Sequence, residues 1–438
     1  MLAGIMSDVQ TPSAATATAI ATPAALTPPG AAAALTPARV LPADAARAVL
    51  IGRLWVPGSG PVLVTVHGER LLDISTLAPT CAELLERPDA AAAVRALREA
   101  HDSLPLEPAR ATWPLATVLA ASDGSARPDA DADAGAVRLL APCDLQVVKA
   151  SGVTFVASLL ERVIEEQARG DAARAVGIRQ ALAGILGDNL ADIVPGSPQA
   201  AEVKRVLIER GAWSQYLEVG IGPDAEIFTK APVLAAVGCG ARVGILESSA
   251  WNNPEPEVVL AVASDGRIVG ASLGNDVNLR DVEGRSALLL GKAKDNNASC
   301  AIGPFIRLFD DAFTLDTVRG LELSMQVEGL DGHQLQGHSS MARISRDPAD
   351  LAAQAIGAHH QYPDGLMLFL GTMFAPTQDR HGPGRGFTHE VGDVVTVATP
   401  ALGALVNTVD HCHRITPWTY GLRELMRDLA ARGLLGAA

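Results

Sequence analysis

Apolar residues recur along this chain with two periods, and the changes of period divide it into elements. Val62-Leu63-Val64-Thr65-Val66 is a β-branched run and predicts a strand. From Cys81 to Ala100 the apolar positions return every three or four residues, which predicts one amphipathic helix. Val258–Ala263 is apolar throughout and too short for a helix, so it reads as a buried strand. Asp265-Gly266 after it is a two-residue hairpin signature, and Arg267–Leu273 is the returning strand. Leu366–Leu370 is a further apolar strand. After Phe155, Leu159, Leu160, Val163 and Ile164 form the apolar stripe of a helix whose other face carries Glu161, Arg162, Glu165, Glu166 and Arg169. Near the C-terminus, in Tyr420–Leu435, Leu422, Leu425, Met426 and Leu429 have helical spacing suited to packing or oligomer contact.

The punctuation between these elements suggests three parts. Val9 to Ala38 carries no charge and five prolines, with only three Leu or Ile residues. That is too broken for a membrane span and lacks the basic start of a secretory leader, so residues 1–44 are expected to be a disordered tail. Residues 45–138 are expected to form a small α/β domain that ends in an Asp/Ala/Pro/Gly linker over Ser122–Ala136. Residues 139–438 hold most of the motif-like features. At 438 residues, 19% charged, the chain is long and apolar enough for a sizeable core. Forty-nine acidic against 35 basic side chains, a net charge of −14, argue against nucleic acid or an anionic membrane as partner. The five scattered cysteines show no CxxC spacing and read as free thiols of a cytoplasmic protein.

The informative chemistry lies on the hairpin. With Asp265-Gly266 as its turn, Glu255 faces Asp276 and Glu257 faces Gly274, and residues two apart on a strand share a face. Glu255, Glu257 and Asp276 therefore converge. Close carboxylates repel unless a cation lies among them. No histidine occurs between His101 and His333, so the donor set is all oxygen and suits Mg²⁺, with Mn²⁺ or Ca²⁺ as substitutes. A solvated acidic hairpin end is the alternative. Downstream, Lys292 and Lys294 flank a loop of small polar residues, and a lysine beside the carboxylates could stabilise an enolate, move a proton or simply neutralise the cluster. Gly371-Thr372, at the end of the Leu366–Leu370 strand, offers a close backbone approach and a hydroxyl for a substrate carboxylate. The helix after Phe155 reads as a solvated face with i,i+4 pairs Arg162/Glu166 and Glu165/Arg169, or as a lid reaching into the site.

Glu255-Pro-Glu257, the run Gly274-Asn-Asp276-Val-Asn-Leu-Arg280-Asp281, Lys294 ten residues before Pro304, and Gly371-Thr372 occur here in the order found in the fumarylacetoacetate hydrolase superfamily. Gly392-Asp393-Val394-Val395 and Gly403–Val409 resemble that family's closing strands. The resemblance covers about 140–409. It implies an α+β, mostly β fold: a mixed β-sandwich roll, here with a smaller N-terminal α/β domain. It also implies a homodimer or dimer of dimers, and a Mg²⁺ site formed by Glu255, Glu257 and Asp276. The family's site lysine maps onto Lys294, and its strand-end threonine, which contacts the substrate carboxylate, onto Thr372 beside Gly371.

Members act on small 2-keto acids. The hydrolases use a His–Glu pair near the lid, and the lid candidate Gly152–Arg169 contains no histidine. Thr154, Phe155, Ser158 and Arg162 instead resemble the substrate-binding lid of the dehydratase branch. The implied reaction is Mg²⁺-dependent dehydration of a 2-keto-3-deoxy-D-pentonate to 2-oxoglutarate semialdehyde. Lys294 would move a proton or stabilise the enolate, Glu165 or Glu161 would act as acid or base, and Arg162 and Thr372 would hold substrate oxygens. The other expectations are acylpyruvate hydrolysis, with His338 or His389 folding back, oxaloacetate decarboxylation or tautomerisation, and a non-catalytic metal-binding relative.

Overall fold

The computed structural model describes residues 34–103, 111–124, 135–175, 177–178, 193–209, 213–372, 374, 376–383 and 385–436. Its largest element is a mixed 11-stranded sheet. Five of its strands meet in the order Leu50–Val56, Cys300–Leu308, Ile268–Asp276, Pro256–Val262 and Leu366–Phe369. Val147–Gly152 then pairs in parallel with Leu366–Phe369, and Glu226–Ala231 closes that edge. A second sheet of five strands contains Val394–Thr399 and Gly403–His411.

Alternation along the strands decides which layer each side chain enters. Val258, Leu260, Val262, Ala271 and Leu273 point into a core shared with Val327, Val395, Val397 and Leu405 of the second sheet. Val259, Ala261, Ile302, Met367 and Phe369 point the other way, onto Leu84, Leu85, Val94 and Leu97 of two helices. Every residue of Pro256–Val262 is buried, as its unbroken apolar run requires. A third cluster, with Leu159, Val163, Tyr216 and Leu217, belongs to helices inserted between Val147–Gly152 and Glu226–Ala231.

Several local expectations change. The helix over Cys81–Ala100 is two helices, Cys81–Glu86 and Ala90–Ser103. Pro88 lies between them and has no N–H with which to continue the first. The turn after Ala263 is one residue longer than Asp265-Gly266 alone. The Ala263 amide bonds the Arg267 carbonyl at 2.9 Å around Ser264-Asp265-Gly266, with Gly266 at φ +88°. A bulge then shifts the register back between Val262↔Ile268 and Ala261↔Gly270, so Glu257 still faces Gly274.

The main sheet also crosses the boundary expected near residue 138. Leu50–Val56 pairs with Cys300–Leu308, because Leu50 and Leu54 enter one core while Val49 and Ile51 enter the other. Residues 1–33 of the expected tail lie outside the described residues. The rest of it is packed: Leu35 and Val40 are buried, and Asp44 receives both Arg307 Nη1 and Nη2 at 2.7 Å. Most of the expected linker, residues 125–134, is also outside the described residues.

The C-terminal helix spans Leu422–Ala431, burying Leu425 and Leu429 while Leu422 and Met426 are exposed. Among the described residues no helix is long and apolar enough to cross a membrane. All five cysteines are free thiols.

Gly274 faces Glu257 with its Cα against the Phe369 ring; a Cβ there would lie 2.2 Å from the Phe369 Cε1 and 2.6 Å from Val259 Cγ2. Gly274→Ala should therefore destabilise the fold by about 1–3 kcal/mol, read as a lowered urea midpoint with an unchanged m-value.

Candidate metal centre and its lid

The hairpin presents its chemistry as a series of facing pairs. Glu257 faces Gly274, and the Asp276 amide donates to the Glu255 carbonyl at 3.0 Å. The same register reappears beyond Pro254, where Asn253 pairs with Asn278. At the far end the Asp281 amide bonds the Trp251 carbonyl at 3.1 Å, and the Arg280 guanidinium lies 4.5 Å from the Trp251 ring centroid. Val277 and Leu279 enter the core between the sheets. Alternation therefore leaves Asp276, Asn278 and Arg280 on the opposite face, together with Trp251, Asn253, Glu255 and Glu257.

Glu255, Glu257 and Asp276 are each at least 98% buried, and a donor oxygen from each lies within 4.8 Å of the others. No other cluster of metal-binding side chains occurs among the described residues, and His411-Cys412-His413 forms none. Burial, then Asp276 and Glu255, push the Glu257 carboxyl well above the usual range; the Gly371 amide donates to it at 2.6 Å. Burial works against the Asp276 carboxylate too, but Lys230 and Lys294 outweigh it and hold its pKa down.

Lys294, at the end of the helix Leu290–Lys294, sits 3.0 Å from Asp276 Oδ2 and also contacts Glu255, whereas Lys292 is exposed. Burial opposes the Lys294 charge, yet Asp276, Glu255 and Glu283 raise its pKa, so it remains an ammonium.

The helix expected after Phe155 spans Val156–Ala168; on its charged face Arg162 and Glu165 are buried, Glu161 and Glu166 half-buried, and Arg169 beyond its end is exposed. Arg162 does not take up the i,i+4 pair with Glu166. It contacts Glu255 across the site, and its Nη1 lies 2.7 Å from Glu165 and 2.9 Å from Glu283. Glu165 also receives Arg280 Nε at 2.5 Å, and Glu161 receives Arg280 Nη2 at 2.9 Å. Burial alone would raise the Glu165 pKa; Arg162 and Arg280 lower it, so the group stands as a carboxylate between two guanidiniums.

Arg280 Nη1 reaches the Pro376 carbonyl at 2.9 Å, tying this lid helix to the loop that follows Thr372. Gly371, at φ +96°, lies against Thr154, whose hydroxyl donates to the Leu370 carbonyl at 2.6 Å. The Thr372 hydroxyl donates to the Phe374 carbonyl at 2.9 Å, and the Ser158 hydroxyl to the Phe155 carbonyl at 2.8 Å. Val153 precedes the lid at φ +58°, a strained position for a β-branched residue.

Three participants were not singled out from sequence. Lys230, fully buried, places Nζ 2.7 Å from Asp276 Oδ1 and 3.1 Å from the Val277 carbonyl. Glu283 faces Arg162, and burial raises its pKa. Glu226 pairs with Gly152 across the sheet edge, and its carboxylate fills the space a Gly152 side chain would occupy. Burial and Glu283 raise it to about 7, against the pull of Arg162 and Lys294. Glu226 and Lys230 share the strand Glu226–Ala231, and no spacing in the sequence ties either of them to the hairpin.

His338 is exposed beside Glu322, and His389 is buried against Asp393 at 3.0 Å, so neither joins the carboxylates.

The cluster suits a hard divalent ion. Around the three carboxylates stand Glu161, Glu165, Glu226 and Glu283, against four cations, Arg162, Lys230, Arg280 and Lys294. Burial first, and the neighbouring carboxylates after it, raise the pKa values of Glu226, Glu257 and Glu283. An all-oxygen, buried donor set of this kind suits a hard divalent cation.

Residues 251–410 match the family model described as fumarylacetoacetate (FAA) hydrolase C-terminal. The chain is 30% identical over 194 residues to a probable 2-keto-3-deoxyxylonate dehydratase of Haloferax volcanii, covering 44% of this chain and 63% of that protein. It is 28% identical over 191 residues to a 2-dehydro-3-deoxy-D-arabinonate dehydratase of Saccharolobus solfataricus, covering 44% and 60%. These matches thus span less than two thirds of either relative's length.

Among solved structures, an apo 2-keto-3-deoxy-D-arabinonate dehydratase is similar with a TM-score of 0.54 and 18% identity, over 83% of this chain and 99% of that one. A form complexed with magnesium and 2,5-dioxopentanoate has a TM-score of 0.53, at the same identity and coverage. At that identity the likeness is one of fold. The stretch that opens on Trp251 and carries the carboxylate face is thus the part of the chain, residues 251–410, that resembles the fumarylacetoacetate hydrolase C-terminal domain.

Proposed function

We propose that this chain is a Mg²⁺-dependent dehydratase of a 2-keto-3-deoxy-pentonate, yielding 2,5-dioxopentanoate. The observation that carries the reading is the buried set Glu255, Glu257 and Asp276 with Lys294 against two of them and Arg162 of the lid above. The names of the curated relatives, and the magnesium and 2,5-dioxopentanoate bound in a protein of the same fold, support it.

When bound, the ion would hold the carboxylate and 2-keto oxygens of the substrate and acidify the C3 protons. The protein's own groups do the rest. A C3 proton and the C4 hydroxyl are lost, together the elements of one water; a proton then leaves C5 while one returns to C3, and the resulting enol becomes the aldehyde. Lys294, an ammonium beside Glu255 and Asp276, stabilises the negative charge that develops on the keto oxygen. The Thr372 hydroxyl, at the mouth of the Gly371 turn, binds the substrate carboxylate, and Thr154, Phe155 and Ser158 form the wall of the lid. Arg162 guides substrate oxygens; Glu165 keeps Arg162 and Arg280 aimed, and Glu161 holds Arg280 from the lid.

Departure of the hydroxyl needs a proton. We assign that role to Glu226, a half-buried carboxyl across from Gly152 whose pKa is raised to about 7. C–C hydrolysis has less support, because no histidine lies in the cluster among the described residues.

Proton NMR of the Mg²⁺-loaded protein with 2-keto-3-deoxy-D-pentonate should show an aldehyde or its hydrate appearing as the C4 proton signal disappears, with no change in an EDTA control. An unchanged spectrum with metal present would refute the substrate. Glu257→Gln should weaken Mn²⁺ binding at least about tenfold, followed by electron paramagnetic resonance, and abolish turnover. Full activity in that variant would exclude the carboxylate site as the reaction centre.

The turnover number should fall as pH rises through about 7, where Glu226 loses the proton it donates. In Glu226→Gln the rate should drop on the order of 10²-fold and this alkaline limb should vanish.

A further inference from the structure

Between the carboxylates and the Trp251–Arg280 stack lies a pair of residues with no task in the reaction as described. Asn253 and Asn278 face each other across the two strands and are 1% and 0% exposed. Asn253 Nδ2 donates to the Pro254 carbonyl at 2.8 Å, but Asn253 Oδ1 and both polar atoms of the Asn278 side chain have no hydrogen-bond partner among the described residues. Buried amide groups are ordinarily satisfied, and leaving them unpaired is unfavourable. Two such residues opposite each other, on the face that carries Glu255, Glu257 and Asp276, are therefore matched to something that binds there.

We propose that Asn253 and Asn278 form the subsite that recognises the hydroxyl-bearing carbons of the substrate. The assignment rests on the sugar-acid reading of the site. A hydroxyl group both donates and accepts, and so does a carboxamide, whereas the neighbouring carboxylates can only accept. The pair lies two residues beyond Glu255 and Asp276, about 6.8 Å along the strands at their usual rise. A 2-keto acid held by its head group at the carboxylates would extend its tail over that span. Arg280 and the lid close the far end, so a tail without hydroxyls would leave the amides buried and unpaired. The specificity implied is for polyhydroxylated 2-keto acids over simple aliphatic ones.

The test compares two ligands of equal chain length, 2-keto-3-deoxy-D-pentonate and 2-oxopentanoate, by calorimetry on the Mn²⁺-loaded protein, the first being read as a Michaelis constant wherever it is turned over. Wild type should bind the hydroxylated acid more tightly. Asn278→Leu and Asn253→Leu should each weaken it about tenfold, the loss of roughly one hydrogen bond, with 2-oxopentanoate and Mn²⁺ affinities unchanged. Asn278→Ser, which keeps a small donor and acceptor, should recover part of the loss. Preservation of the wild-type preference in both leucine variants would overturn the subsite, and so would equal weakening of the two acids. Wild-type protein that prefers the hydroxylated acid but does not dehydrate it would leave the subsite standing and refute the reaction.

Discussion

Carboxylates do not share a dry interior unless cations stand among them, and that requirement orders much of this molecule. Glu255, Glu257 and Asp276 are brought together by backbone pairing alone, and each is removed from water. Their repulsion is offset from three directions: Lys294 from the short helix Leu290–Lys294, Lys230 from a strand at the sheet edge, and Arg162 from an inserted helix. Each is buried with them, so that opposite charges face one another where packing excludes water. The acidic excess that remains is what a divalent ion complements.

The same requirement explains why the lid is anchored as it is. A helix rich in Glu and Arg would ordinarily face water. Here its carboxylates pair with Arg280, which stacks on Trp251 and binds the Pro376 carbonyl, so the lid, the hairpin and the loop after Thr372 meet at one guanidinium. Catalysis by positioned charges depends on such rigid pairing, because groups that are already oriented need not reorganise when charge develops on the substrate.

The parts that could be read from the sequence are those whose partners are close in the chain. The facing of Glu255 with Asp276 follows from counting back from Asp265-Gly266, and it survived a longer turn because a bulge beside Ala261 restored the register. Lys294 was visible through its place in an ordered set of motifs. Lys230, Glu226 and Glu283 were not, since no periodicity links the strand Glu226–Ala231 to a carboxylate 46 positions beyond Lys230. The charged helix face was misleading for a related reason. Spacing of Arg162 and Glu166 is the same for a solvated pair and for a lid, and the difference lies in what covers them.

What this sequence determined by itself was local: the alternation that sends Val258 and Val259 to opposite layers, the turn residues, and hence the convergence of three carboxylates on one face. The rest was decided in three dimensions. Leu50–Val56 joined the main sheet, Pro88 divided a helix, and Arg162 chose Glu255 over Glu166. Backbone periodicity acts over a few residues and is written in residue order, whereas Coulomb pairing and burial depend on distance in space and on the water that packing excludes.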